Sequence, residues 1–143
     1  MESKAYKLLS NVAVVASGKV LLVRYNGMPD HQRGWFLPHA VLKYLEHPQD
    51  AAKRAIDEQL HPGVDLPSER FRIMEVDSFK GNDGSWHLPF HFLLKMESPF
   101  EPRIHSDIAE FRWFAQDDLP PREEVAHHGW ALDIIADVVS WGE

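Results

Sequence analysis

The chain has no cysteine. That excludes disulfides, thiolate zinc sites and a cysteine nucleophile, and it leaves the compartment open. Long apolar runs are missing too. Stretches such as residues 12–16 fall far short of the roughly 20 residues that span a bilayer as a helix. The first residues are polar and mixed in charge, without the basic segment and apolar run of a signal peptide. A cytoplasmic protein with no membrane association is therefore expected. No lysine- or arginine-rich block occurs, and the formal net charge is −7. Such a surface repels a polyanion, which argues against nucleic acid as a partner. A small phosphorylated ligand stays compatible, because a few local cations outweigh screened, distant acids. A Gly-rich phosphate loop, a nucleophile elbow, zinc-ligand spacing, repeats and linkers are all absent from the sequence.

What remains is the composition of an ordinary globular protein, 44% hydrophobic and 26% charged over 143 residues. That length suits one domain, residues 1–143, able to bury roughly 70% of its unfolded surface. Residues 7–16, rich in valine and leucine, are expected to form a buried strand. Ser17-Gly18-Lys19 is a turn signal, and residues 20–25 form a second strand that pairs with the first as a hairpin. Residues 26–34 form a loop, and Trp35-Phe36-Leu37 a short strand stopped by Pro38. A helix is expected over residues 49–60, with Pro48 at its first turn, Asp50 near the positive end of its dipole, and Ala52, Ile56 and Leu60 as its core stripe. Residues 71–80 and 86–96 are strands around the turn at residues 81–84, and Pro89 suggests that the second lies at an edge or carries a bulge. Residues 108–114 form a last strand. Residues 122–141 form a second helix with Val125, Leu132, Ile135 and Val139 on its apolar face. Strands mixed with two helices imply an α/β (α+β) domain, a sheet with a helix on each face.

One segment carries chemistry. Trp35-x-Leu37-Pro38 precedes Ala40, followed by Glu46, Arg54, Ile56 and Glu58 at fixed spacing. This resembles the Nudix box, G-x5-E-x7-R-E-U-x-E-E-x-G-U with U aliphatic, over residues 40–64. Phe111-Arg112-Trp113-Phe114 and Asp117-Asp118-Leu119-Pro120 resemble the late strand and turn of the same superfamily, the Nudix hydrolases. The resemblance implies a Nudix-like α/β/α sandwich with a mixed sheet. It also implies metal-assisted hydrolysis of a nucleoside diphosphate linked to another moiety.

The departures fall on the metal-binding positions. Ala40 and His39 stand where glycines are usual, Ala55 and Gln59 replace glutamates, and His61 replaces a glycine. Positions 55, 58 and 59 share one helical face. In the family such a face holds divalent cations that bridge the diphosphate. Here Glu58 is its one carboxylate. The resemblance therefore makes Glu58 the candidate catalytic residue. It also makes Glu58, with Asp107 and Glu110 from the approach to the late strand, the candidate ligands for Mg²⁺ or Mn²⁺ if the protein is active, and for no metal if it is not. Glu46 and Arg54 are expected to brace the loop against the helix. Arg24, Arg33 and His39 are substrate-binding candidates, with Lys43 beside them, as is His91. Each has an alternative as a solvated or packed side chain. His87 and His91 share a strand face but stand ~13 Å apart, too far to bind one metal. His127 and His128 are expected at the surface. Tyr25, Phe79 and Trp86 either stack on a base or simply pack. Two functions stay open: a hydrolase with an altered box, and a non-catalytic module for a nucleotide-like ligand or a protein partner.

Overall fold

The computed structural model describes residues 5–29, 33–81 and 83–141. The first four residues, part of the loop at 26–34 and Asn82 in the turn at 81–84 lie outside that set. The elements are β1 (Tyr6–Ala16), β2 (Lys19–Tyr25), β3 (His39–Val41), α1 (Pro48–Leu60), β4 (Arg72–Val76), β5 (Phe79–Lys80), β6 (Trp86–Lys95), β7 (Ile108–Ala115) and α2 (Ala126–Val138). The sheet runs β4-β6-β1-β2-β7, with β3 on β1 and β5 on β6. It is mixed: β1 and β6 are parallel, and the other pairs are antiparallel.

Strand alternation builds a core on each face. Val12, Val14, Leu21, Val23, Phe92 and Leu94 pack on Ala52, Ile56 and Leu60 of α1. Their neighbours Ala13, Val20, Leu22 and Leu93 point the other way, onto Ala131, Ile134, Ile135 and Val138 of α2. Both helices are thus held by burial, at about 1.5–3 kcal/mol for each large apolar side chain. Helix α1 starts where the His47 ring accepts from Gln49 N at 3.0 Å, with proline in its first turn. It stops at His61, which takes a left-handed conformation (φ 40°) before Pro62. Among the described residues no helix is long and apolar enough to cross a membrane.

Four expectations need correction. Residues 35–37 make only isolated bridges, Val23 with Phe36 and Trp35 with Val125, because Pro38 has no N–H and pairing moves to β3 beyond it. The strand expected at 71–80 breaks at Asp77-Ser78 into β4 and β5. Pro89 lies in β6, which is interior to the sheet. The missing N–H is tolerated because the break faces Pro89, whose carbonyl accepts from Asp77 N at 3.0 Å. Finally, the second helix starts late. Residues Arg122–Glu124 form a 3₁₀ turn, and His127, His128 and Gly129 are left-handed, so regular helix begins at Trp130.

Because the sheet separates the two cores, Ile56→Val and Ile134→Val should each cost about 0.5–1.5 kcal/mol. The double variant should be additive to within ~0.5 kcal/mol. Urea denaturation midpoints measure this, and strong non-additivity would contradict two separate cores.

Candidate functional site

The box loop is held by one ion pair. Arg54 donates from Nε to Glu46 Oε2 (3.0 Å) and from Nη2 to Glu46 Oε1 (2.9 Å). The same Nη2 reaches Val41 O at 2.8 Å, and Glu46 Oε1 accepts from Lys43 N at 2.9 Å. These charge-assisted bonds hold the Glu46 carboxyl down at about 2 and raise Arg54 above its ordinary value. The pair closes the loop onto α1, and Lys43 is used through its backbone.

A second brace lies one turn further along α1. Gln59 Oε1 accepts from Tyr25 Oη at 2.6 Å, Gln59 Nε2 donates to His39 O at 2.8 Å, and His39 N donates to Tyr25 Oη at 3.1 Å. Both ends of the amide are engaged. Burial pushes the Tyr25 phenol pKa up, so the hydroxyl keeps the proton it donates. Gln59 O also accepts from His105 N at 2.9 Å, and Leu60 O from Arg103 N at 2.8 Å. These bonds tie the approach to β7 to the end of α1.

The residues of this region do not fit the metal that the box implies. Ala55 is 1% exposed and carries no ligand atom, and Gln59 is committed to the brace. Glu58 is exposed on the same helix. Glu110 pairs with Arg24 at 3.1 Å, and Asp107 lies 3.4 Å from His105 Nδ1. Among the described residues no cluster of three or more histidine, aspartate or glutamate side chains could hold a metal ion. Glu58, Asp107 and Glu110 are therefore not assembled as the sequence suggested, since the cross-strand partner of Arg24 is Glu110 itself.

Beside the Gln59 brace, toward α2, opens a cavity of about 630 Å³. Tyr25, Phe36, Phe79 and Trp130 supply aromatic wall, and His39, His87 and His127 supply imidazoles. Trp130 is central, with its ring 5.6 Å from Phe36 and 5.5 Å from Phe79. His39 is held by Leu37 O (3.1 Å) and by edge contacts to Tyr25 and Phe36. Its burial pushes its pKa down to about 4. Lys7 and Lys80 are exposed at the rim, and the lining carboxylate, Asp133, is already paired with Arg122 at 2.8 Å.

Of the substrate candidates, His39 lines this space and the others do not. His91 is 1% exposed: its Nε2 donates to Asp77 Oδ2 at 2.8 Å, and its Nδ1 faces Asn11 Nδ2 at 3.4 Å. Arg24 lies over the Trp35 ring at 4.5 Å, and Arg33 donates to Met28 O at 3.2 Å. Tyr25 and Phe79 line the cavity, whereas Trp86 is exposed and bonds Ser78 Oγ at 2.7 Å. His127, expected at the surface, instead stands 5.3 Å from the Phe36 ring. Lys7, Phe36, Lys80 and Trp130 carried no sequence signal for this role, because they come from four separate elements or segments.

A family model described as NUDIX domain matches residues 8–136. No curated protein matches the sequence. Among solved structures, a MutT NUDIX hydrolase from Burkholderia pseudomallei is 25% identical over 95% of this chain and 100% of its own, with a TM-score of 0.75. The NUDIX domain of Shewanella oneidensis NrtR, crystallised with ADP ribose, is 17% identical over 96% of this chain and 87% of its own, with a TM-score of 0.72. A bifunctional NMN adenylyltransferase/ADP ribose pyrophosphatase from Francisella tularensis, complexed with AMP and a manganese ion, is 17% identical. It covers 94% of this chain and 42% of its own length, with a TM-score of 0.69. The latter two show likeness of fold alone.

The two braces make separate predictions. Acid should destabilise the protein in two windows. His39 is depressed from 6.5 to about 4, so its share of stability is lost as pH falls from 6.5 toward 4. Glu46 is depressed from 4.5 to about 2, so its share is present above 4.5 and lost as pH falls toward 2. Urea stability against pH should lose the upper window in His39→Gln and the lower in Glu46→Gln, and unchanged profiles would contradict the assignments. Restoring the family's acids should also fail. Gln59→Glu removes the donor to His39 O, at a cost of about 1–3 kcal/mol. The double change Ala55→Glu with Gln59→Glu should therefore destabilise the protein without creating Mg²⁺ affinity by calorimetry. Tight Mg²⁺ binding by that variant would refute the remodelled brace.

Proposed function

We propose that this chain, which belongs to the NUDIX domain family, binds a small phosphorylated ligand such as a nucleoside diphosphate derivative in the Trp130 cavity and hydrolyses it weakly or not at all. One observation carries this reading: both ends of the Gln59 amide are spent on Tyr25 and His39. A position that in the family holds metal serves here as a strut. With Ala55 buried, Glu58 is left as the single carboxylate on that face, and no hydrolytic step is derived through a cation.

The cavity supports the binding half of the proposal. Its volume of about 630 Å³ falls in the range of roughly 300–1,000 Å³ usual for small-molecule sites. Phe79, Trp130 and Tyr25 offer faces and edges to a base or other planar group, and such contacts contribute about 0.5–1.5 kcal/mol each beyond area burial. Lys7 and Lys80 place positive charge at the rim, where an acidic chain otherwise repels phosphate. Relatives of the same fold were crystallised with ADP ribose and with AMP, which fits the same ligand class. The exposed carboxylate of Glu58 favours a second reading, a residual hydrolase in which Glu58 is the acid and Mg²⁺ or Mn²⁺ is required.

One experiment separates them. ADP ribose and nucleoside diphosphate sugars are incubated with the protein and Mg²⁺ or Mn²⁺, product is followed by ion-pair chromatography, and melting is recorded with each ligand. Ligand-dependent stabilisation is expected, lost in Trp130→Ala and kept in Glu58→Gln, with little or no product. Turnover abolished by Glu58→Gln would replace the binding reading with the hydrolase one. Absence of stabilisation by any ligand would sink the binding reading.

A further inference from the structure

The strand order leaves β4 at an edge of the sheet. Edge strands are ordinarily protected by lysine, proline, a bulge or a covering segment. The opposite edge, β7, is so protected: it exposes Glu110 and Arg112, and Trp113 Nε1 donates at 3.0 Å to Phe100 O in the segment that packs beside it. Strand β4 has a bulge between Ile73 and Glu75 but neither lysine nor proline, and it leaves Ile73, Met74 and Val76 exposed by 53%, 41% and 48%.

Its charges are ordered as well. The basic residues Arg70 and Arg72 come first, and the acidic residues Glu75 and Asp77 come last. Arg72 and Glu75 are three residues apart, which in a regular strand would put them on opposite faces. The register shift between Ile73 and Glu75 brings both onto the α2 face, Arg72 opposite Leu93 and Glu75 opposite His91. Arg70 is already used, donating to Lys95 O at 2.6 Å. The Arg72 side chain makes no hydrogen bond or ion pair with a described residue. Glu75 is in the opposite position: its contact with Asp77, and then the charges of Asp77 and Asp137, raise its pKa above the usual carboxylate value. One edge strand thus carries an unpartnered cation at its start and crowded anions at its end.

We propose that β4 pairs antiparallel with β4 of a second copy of this chain, forming a two-fold dimer in which Arg72 of each protomer meets the Glu75 and Asp77 carboxylates of its partner. A two-fold axis through an edge strand sets its beginning against its end. Basic then lies opposite acidic at both ends, whereas a parallel pairing would stack like charges. Main-chain bonds supply the affinity, as in other strand additions, and Ile73, Met74 and Val76 are covered in the same step. The dimer is independent of the cavity and of any ligand bound there.

Charge reversal tests it. Sedimentation velocity on the full chain, from micromolar to near-millimolar concentration, should show wild-type dimerisation. Arg72→Glu and Glu75→Arg should each weaken it by at least roughly tenfold, because each sets like charges opposite one another twice. An equimolar mixture of the two variants should dimerise again, since each facing 72–75 pair is then opposite in sign, and so should the double variant. Melting temperatures close to wild type confirm that the single variants are folded. A wild type that stays monomeric at the highest concentration, a dimer indifferent to both reversals, or a mixture no stronger than its components would each overturn the proposal.

Discussion

Strands β1 and β2 are neighbours at one end only. Beside the Ser17–Gly18 turn they pair, Val15 with Val20 and Ala16 with Lys19, and beyond it they diverge. Each would then present the other with a row of unmet backbone donors and acceptors, at about 1–3 kcal/mol for every buried group left unpaired. The chain fills that gap with residues 36–41. Phe36 exchanges two 2.9 Å bonds with Val23, Pro38 O accepts from Val12 N at 2.9 Å, and β3 completes the ladder against Leu9, Ser10 and Asn11. Trp35 meanwhile bonds Glu124 O and Ala126 N at the entry to α2. The obligation to pair the opened strands thus sets Phe36 and His39 in the cavity wall and delivers the chain to Glu46. It also fixes where the second helix begins.

Holding that inserted segment sets a specific demand at position 59. Around the Gln59 side chain stand one donor, the Tyr25 hydroxyl, and one acceptor, the His39 carbonyl. An amide matches both, whereas an ionised carboxylate is acceptor-only and matches one. The Glu46–Arg54 pair faces no such conflict, since two oxygens facing a guanidinium fork are met in full. Glu46 and Arg54 thus hold the loop on α1 while, on the same helix, Ala55 is buried and Gln59 is committed to the brace.

The same division explains what could be read from the sequence. Local patterns carried most of the strands, α1 and the turn at Ser17–Gly18, because each depends on periodicity or on short-range turn chemistry. The cover of the sheet by a helix on each face was expected from strands mixed with two helices, whereas the split of residues 12–14, 20–23 and 92–94 between two cores emerged from the structure. Features built from distant pieces were not legible. The cavity takes Lys7 from β1, Phe36 from the inserted segment, Phe79 from β5 and Trp130 from α2, and no spacing joins them. His91 misled because its residue type suggests a ligand, yet Asp77, brought close by the β4–β5 break, and Asn11 satisfy both its nitrogens inside the fold. Pro89 misled for a related reason: the proline rule concerns a missing N–H, and the break in the neighbouring strand had already removed the need for one.

The far wall of the cavity rests on strain. His127 (φ 55°), His128 (φ 57°) and Gly129 (φ 83°) run left-handed in succession, which for the two histidines costs roughly 1–2 kcal/mol each. Arg122 braces the turn. It donates to His128 O at 2.9 Å and to both oxygens of Asp133, at 2.8 and 3.3 Å. A side chain on residue 129 would meet Arg122 Cγ at 2.4 Å, so glycine is required there for space as well as for φ. Conformations of this kind persist only where the surroundings over-determine them. The turn swings His127 over Phe36 and starts the helix with Trp130 facing Phe36 and Phe79. The wall is thus set by α2 and its approach, and the box by α1. They are joined through Tyr25, Gln59 and His39.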